Sequence, residues 1–178
     1  MLRCVAVGGE PATGKTTMMK EVYNSMKVTH NLKGGLLRGH INNNSLVSLM
    51  GLYNSGGTFL GTDRLSMAVN KDFQKYVTLR KRHIIFEGDR LFTKDNLKLI
   101  EQHYDLRIII LSASKQVLHE RHVLRGDTQS DVFLKGRATK IRNISAEFGT
   151  KVEHRSLTEP SHSIQMAKEL LQWLETGE

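Results

Sequence analysis

Residues Gly9, Glu10, Pro11, Ala12, Thr13, Gly14, Lys15, Thr16 and Thr17 set two glycines, a lysine and a threonine at the spacing G-x-x-x-x-G-K-T, with a further threonine directly after it. Glycines at those positions let the backbone curl until successive N–H groups converge, and a helix starting directly afterwards adds the positive end of its dipole. That combination is a cradle for the phosphates of a nucleoside triphosphate. Lys15 would reach the β- and γ-phosphates as a point charge, and the Thr16 hydroxyl would ligate Mg²⁺. Thr17 is a lesser candidate for the α-phosphate. The pattern carries meaning only between a strand and a helix; here the apolar run Leu2 to Val7 precedes it and an amphipathic run follows.

Such a cradle needs oxygen ligands for the metal opposite it. The apolar run His83 to Phe86 ends in Glu87-Gly88-Asp89-Arg90, two carboxylates and an arginine where a strand would emerge. Glu87 is assigned to Mg²⁺ and Asp89 to the reacting centre, an order the sequence leaves open, and Arg90 would clamp a phosphate or the acceptor. Asp63 lies at the foot of the glycine-rich stretch Asn54 to Thr62. It is the candidate carboxylate that orients and deprotonates an acceptor hydroxyl, with Arg64 beside it as a substrate contact. Asp63 or Thr62 could equally cap the helix that follows.

Arg121 and Arg125 are one helical turn apart and share a face, and beyond a polar break at Gly126 to Ser130 come Lys135, Arg137, Lys140 and Arg142. Together they read as a basic lid over residues 121–142 that neutralises charge on a transferring phosphoryl group. Within it Arg121 and Arg125 are the catalytic candidates, while Lys135, Arg137 and Arg142 are the substrate contacts. Two look-alike motifs are excluded by spacing: His119 to His122, HERH, lacks the two residues a zinc-peptidase helix needs between Glu and His. VNKDF, Val69 to Phe73, misses the N-K-x-D of GTPases by one position.

These residues need a scaffold that brings strand ends together. Leu2 to Val7 reads as a buried central strand and Thr16 to Lys27 as its helix, with Met19, Val22 and Met26 on one face. LLRGHI and SLVSLMGLY, separated by Asn42, Asn43 and Asn44, predict an antiparallel hairpin inserted after that helix. Its alternation puts Arg38 and His40 on one face, as solvent-facing residues or as ligand contacts, Arg38 being assigned to the substrate. A helix with Met67, Phe73 and Val77 on its core side follows Asp63. Thr93 caps a helix carrying Leu97 and Ile100, and Ser114 one carrying Val117, Leu118 and Leu124. LRIIIL, Leu106 to Leu111, is the most apolar strand and is expected at the centre of the sheet. Ile141, Ile144 and Phe148 give a helix with a charged outer face. Val152 to Leu157 is a last strand ended by Pro160, and Ile164, Ala167, Leu170, Leu171 and Leu174 face the sheet from a C-terminal helix. Strands alternating with helices imply a three-layer α/β sandwich, mostly parallel, with ligand at the strand C-terminal ends.

At 178 residues the chain is expected to be one domain, 1–178. The formal net charge of +8 and only two prolines indicate an ordered basic protein with polyanionic partners. Its single cysteine, Cys4, falls in an apolar run, which predicts a core thiol and a cytoplasmic protein without intrachain disulfides. The apolar start is too short for a signal peptide or a membrane span, so no membrane partner is expected, and the oligomeric state is not set by the sequence.

With the cradle, the FEGDR strand end and the R-x-x-x-R helix in place, the chain resembles the nucleotide-kinase-like group of P-loop kinases, which includes thymidylate and adenylate kinases. EGDR stands where an adenylate kinase has D-G-x-P-R and a thymidylate kinase D-R-[YH], which turns the resemblance away from a free nucleoside monophosphate acceptor. GTDRLSMAV and FLKGRATKIRNI are more similar to a phage-encoded branch, the P-loop kinases that phosphorylate 5-hydroxymethyluracil in DNA. The resemblance implies a P-loop NTPase fold with an inserted hairpin and a basic lid, ATP with Mg²⁺, and an enzyme of the host cytoplasm. It also implies that Gly9 to Thr17 binds nucleotide, that Asp63 with Glu87 or Asp89 serves acceptor and metal, and that Lys135 to Arg142 faces polyanion; the basic balance agrees with a DNA acceptor. Tyr53 and Phe59 would be the aromatics available for base stacking. The alternatives are a kinase of free nucleoside monophosphates and a nucleotide-gated DNA-binding protein.

Overall fold

The computed structural model describes residues 1–54, 60–126 and 129–178. In chain order the strands are β1 (Arg3–Gly9), β2 (His30–Gly34), β3 (Leu37–Asn42), β4 (Val47–Met50), β5 (His83–Glu87), β6 (Asp105–Ser112) and β7 (Val152–Ser156). The helices are α1 (Lys15–Ser25), α2 (Asn70–Leu79), α3 (Lys94–His103), α4 (Lys115–Arg125), α5 (Asp131–Phe148) and α6 (Pro160–Thr176), with 3₁₀ turns at Thr62–Arg64 and Gly149–Lys151.

β1 is apolar and buried from Cys4 to Val7, which requires both of its faces to be covered. The sheet order β2-β3-β4-β5-β1-β6-β7 provides this by placing β1 between β5 and β6, parallel to both. Alternate residues feed two cores. Cys4, Ala6, Ile84, Phe86, Ile108 and Ile110 pack under α2, α3 and α5. Val5, Val7, Ile85, Ile109 and Leu111 pack under α1 and α6 through Met18, Met19, Val22, Leu170 and Leu174. This is the expected three-layer α/β P-loop fold. Burial holds the Cys4 thiol protonated, well above its ordinary pKa. Among the described residues no helix is long and apolar enough to cross a membrane.

The element pattern differs from expectation at several points. The hairpin is not an insertion: β4 pairs parallel with β5, and an additional strand, β2, pairs antiparallel with β3, so a three-stranded meander extends the sheet itself. β2 carries HNLKG, in which Leu32 alone is buried, and so polar a strand is stable only at an edge. β6 is buried on both faces yet stands second from the β7 edge rather than at the centre. α2 starts at Asn70, leaving Met67 outside it and 78% exposed. α4 has no buried residue, and Leu124 is 86% exposed. Pro160 opens α6 at its first turn, where the missing N–H costs nothing. α6 turns Ser163 and Met166 to the core and leaves Ile164 exposed.

Candidate active site

The turn from β1 into α1 is built on left-handed backbone. Gly9 has φ 145°, Ala12 64° and Gly14 96°. A Cβ on Gly9 would lie 2.4 Å from the Leu111 carbonyl and 2.9 Å from Thr13 Oγ1, so only glycine passes there. Thr13, fully buried, ties the turn by donating its hydroxyl to the Glu10 carbonyl at 2.8 Å. Gly14 caps α1 without a side chain and the first turn holds no acid, so the amides opening the helix face outward with the dipole uncompensated. Lys15 Nζ bends back over the turn and donates to the Gly9 and Glu10 carbonyls, each at 2.8 Å. Burial lowers its pKa, opposed by the nearby charges of Glu87, Asp89 and Asp63. Thr16 is half-buried on the first turn and Thr17 exposed; Pro11 is half-buried at the apex. Arg121 fixes the cradle from outside, donating to the Ala12 carbonyl at 2.9 Å and to Leu157 O at 3.0 Å. The structure thus places this arginine in contact with the β1–α1 turn. Arg125, one turn further, is exposed and lies within electrostatic range of Lys15.

Register brings the first carboxylate alongside. Glu87 pairs with Val7, two residues before Gly9, and is 4% exposed. Burial raises its pKa to about 7, with Lys15 pulling the other way. Tyr53, fully buried, donates its hydroxyl to Glu87 Oε1 at 3.2 Å. This corrects the stacking role expected of Tyr53, and Phe59 lies outside the described residues. Three glycines let backbone close over the carboxylate. A Cβ on Gly61 would fall 2.5 Å from Glu87 Oε1, one on Gly51 2.6 Å from the Gly61 carbonyl carbon, and one on Gly88 2.5 Å from Thr62 Oγ1. Leu52 and Gly61 exchange both backbone hydrogen bonds, at 3.1 and 2.7 Å, closing the base of the glycine-rich segment. Thr62 is not a helix cap; its hydroxyl donates to the Glu87 carbonyl at 2.9 Å. Asp63 follows on the 3₁₀ turn, exposed, and α2 is capped at Val69 instead.

The second carboxylate is engaged by α5. Asp89 Oδ1 pairs with Arg137 at 3.1 Å and Lys140 at 3.3 Å, both from α5, and Arg137 also lies 4.5 Å from the Phe133 ring centre. The outer face of α5 is charged as expected, with Ile144 and Phe148 turned to the core, but toward its N-terminal end the inner side is basic as well. Lys135 and Arg142 do point outward, Arg142 donating to Thr139 Oγ1 at 3.3 Å. Arg90 turns its guanidinium to the Leu65 carbonyl. Arg64 is exposed beside Asp63. Arg38 stands at the end of β3 nearest the site, but its guanidinium donates to the Gly35 and Leu37 carbonyls at 2.6 and 2.8 Å. His40, expected at the surface, is fully buried.

Lys15, Thr16, Asp63, Glu87 and Asp89 thus converge at the C-terminal ends of β1 and β5, and Arg121 and Arg125 approach from α4. Lys20, which donates to the Tyr53 carbonyl, was not singled out by sequence, and the contacts of Tyr53 and Thr62 with Glu87 were not foreseen. Only the glycines around them hinted at close packing. Among the described residues no three His, Cys, Asp or Glu side chains gather as a metal cage. The oxygen donors that do converge, the Thr16 hydroxyl and the buried Glu87 carboxylate, fit a cation that takes its remaining ligands from phosphates and water.

No protein-family model and no curated protein sequence matches the chain. Its fold is similar to that of a gluconokinase from Sinorhizobium meliloti 1021, at 13% identity over 98% of this chain and 94% of the other, with TM-score 0.53. It is also similar to that of a sugar kinase from Janibacter sp. HTCC2649, at 12% identity over 97% of this chain and 95% of the other, again with TM-score 0.53. At such identities the likeness is one of fold.

Proposed function

We propose that this chain is an ATP- and Mg²⁺-dependent phosphotransferase acting on a hydroxyl acceptor. The observation that carries the reading is the phosphate cradle with Glu87 beside it, closed by glycines whose Cβ atoms would collide with its own parts. Residues Gly9 to Thr17 bind the phosphates, and Lys15 leaves its two carbonyl partners for the β- and γ-phosphate oxygens. Thr16 and Glu87 hold Mg²⁺, which when bound neutralises charge on the phosphates. Asp63, exposed to the cleft, orients the acceptor hydroxyl and takes its proton. Arg121 keeps the cradle in shape, and Arg125 moves in from the lid as charge develops on the transferring group. Lys15→Ala and Thr16→Ala each abolish transfer while leaving thermal unfolding near that of the wild type; retained transfer in a folded Lys15→Ala protein overturns the proposal. Asp63→Asn lowers kcat with little change in nucleotide affinity, whereas Glu87→Gln weakens Mg-nucleotide binding as well.

For the acceptor, we infer the 5-hydroxymethyl group of a pyrimidine in DNA. The wording of GTDRLSMAV and FLKGRATKIRNI, the net charge of +8 and the outward Lys135 and Arg142 support it. A small polyol is the second reading, favoured by the names of the two structural neighbours. Labelled ATP offered with hydroxymethylated DNA, unmodified DNA, nucleoside monophosphates and gluconate separates them. Label on hydroxymethylated DNA alone supports the first reading, and label on a small acceptor alone replaces it.

A further inference from the structure

We propose that His40 is a positioning residue of this site, acting through Tyr53 on Glu87; the inference rests on the kinase reading above. His40 lies on β3, on the α1 side of the sheet, with no exposed surface. Its Nε2 accepts the Tyr53 backbone N–H at 3.1 Å. An acceptor at Nε2 requires the proton to be on Nδ1, which faces Asn31 Oδ1 of β2 at 3.2 Å and donates to it. One tautomer of the neutral ring satisfies both neighbours.

Tyr53 is pinned at three points from three elements. Its amide is held by His40 of β3, its carbonyl by Lys20 of α1, and its hydroxyl meets Glu87 Oε1 of β5. It also directly follows Leu52, whose paired hydrogen bonds with Gly61 set where the chain re-enters toward Thr62 and Asp63. A shift of the Tyr53 backbone therefore moves both the hydroxyl on Glu87 and the base of the segment that delivers Asp63. The imidazole is fixed in turn by the Tyr23 ring, edge-on with centroids 4.7 Å apart. Lys20 and Tyr23 of α1, Asn31 of β2 and Tyr53 are the groups facing the ring. Lys20 is the charged one, and burial first and its charge second favour the neutral imidazole. A purely space-filling histidine would need neither the single tautomer nor the amide contact.

The test compares His40→Gln, whose amide oxygen can take the place of Nε2, with His40→Asn, which can keep only the Asn31 partner. Hydrogen exchange at the Tyr53 amide and steady-state transfer are measured on both and on the wild type. Expected are faster Tyr53 exchange and a kcat reduced about tenfold or more in His40→Asn, with nucleotide KM nearly unchanged, and recovery of both in His40→Gln. A His40→Asn protein with wild-type kcat overturns the proposal, as does a kcat loss that His40→Gln shares in full. Absence of transfer in the wild type strikes the kinase reading alone. Unchanged Tyr53 exchange in His40→Asn strikes this inference alone.

Discussion

Gly61 shows how one missing Cβ makes the site. With φ +78° and a virtual Cβ 2.5 Å from Glu87 Oε1 and 2.7 Å from the Tyr53 hydroxyl, Gly61→Ala must part the two side chains. Gly126 also has positive φ, +63°, but nothing stands within 4 Å of its virtual Cβ. Gly61→Ala should therefore cost more than the roughly 1 kcal/mol of left-handed strain expected for Gly126→Ala and should abolish transfer, whereas Gly126→Ala keeps it. Chemical denaturation and activity of the two variants check this. Glu87 gives a pH signature. Its pKa is 4.5 ordinarily and about 7 when folded, so the folded state retains a proton that the unfolded chain releases between those values. The associated stability is complete below pH 4.5 and is lost as pH rises through 7. Glu87→Gln, which cannot ionise, should exceed the wild type by on the order of 3 kcal/mol at pH 8, and the gap should close toward pH 4.5. Urea unfolding across that range reads it, and a pH-independent gap would refute the assignment.

At the scale of elements, α5 is held by different means at its two ends. Its C-terminal half is anchored by Ile144 and Phe148 in the core and by Glu147 paired with Lys94 at 2.9 Å and Lys98 at 2.8 Å. Its N-terminal half rests on Asp89 through Arg137 and Lys140, pairs about a quarter exposed on the cation side. Such pairs contribute at most about 1 kcal/mol each, enough to bias the seating of this half of α5 without locking it. Asp89→Asn is expected to raise hydrogen exchange over residues 131–140 and leave 141–148 protected, with little change in global stability. Uniform exchange along α5 would show that the ion pairs do not seat the lid.

For the whole molecule, charge distribution matters more than its sum. Lys135 and Arg142 face outward while Arg137 and Lys140 are already paired with Asp89. Val123 and Leu124 near the end of α4, and Val132 and Phe133 at the start of α5, are exposed apolar side chains. If DNA is the acceptor, its backbone meets the outward pair. Lys135→Glu with Arg142→Glu should lower the slope of log K against log salt by about one for each phosphate that the lid no longer neutralises, without moving Mg-nucleotide affinity. Fluorescence anisotropy in a salt series measures this, and an unchanged slope moves DNA off the lid.

The sequence determined the parts whose signals are local. The cradle follows from the spacing of Gly9, Gly14, Lys15 and Thr16, the parallel core from the apolar runs of β1, β5 and β6, and the caps of α3 and α4 from Thr93 and Ser114. In each the residues that decide the structure are neighbours along the chain. Tertiary structure decided whatever needed partners far apart in sequence. Tyr53 is brought to Glu87 across 34 residues, Asp89 to Lys140 across 51, and Arg121 to Ala12 across 109. Alternation along β3 placed Arg38 and His40 on one face, but whether that face met water or α1 depended on β4 joining β5 and drawing the meander into the sheet. Period-two patterning fixes which residues share a side, and only packing fixes what lies opposite.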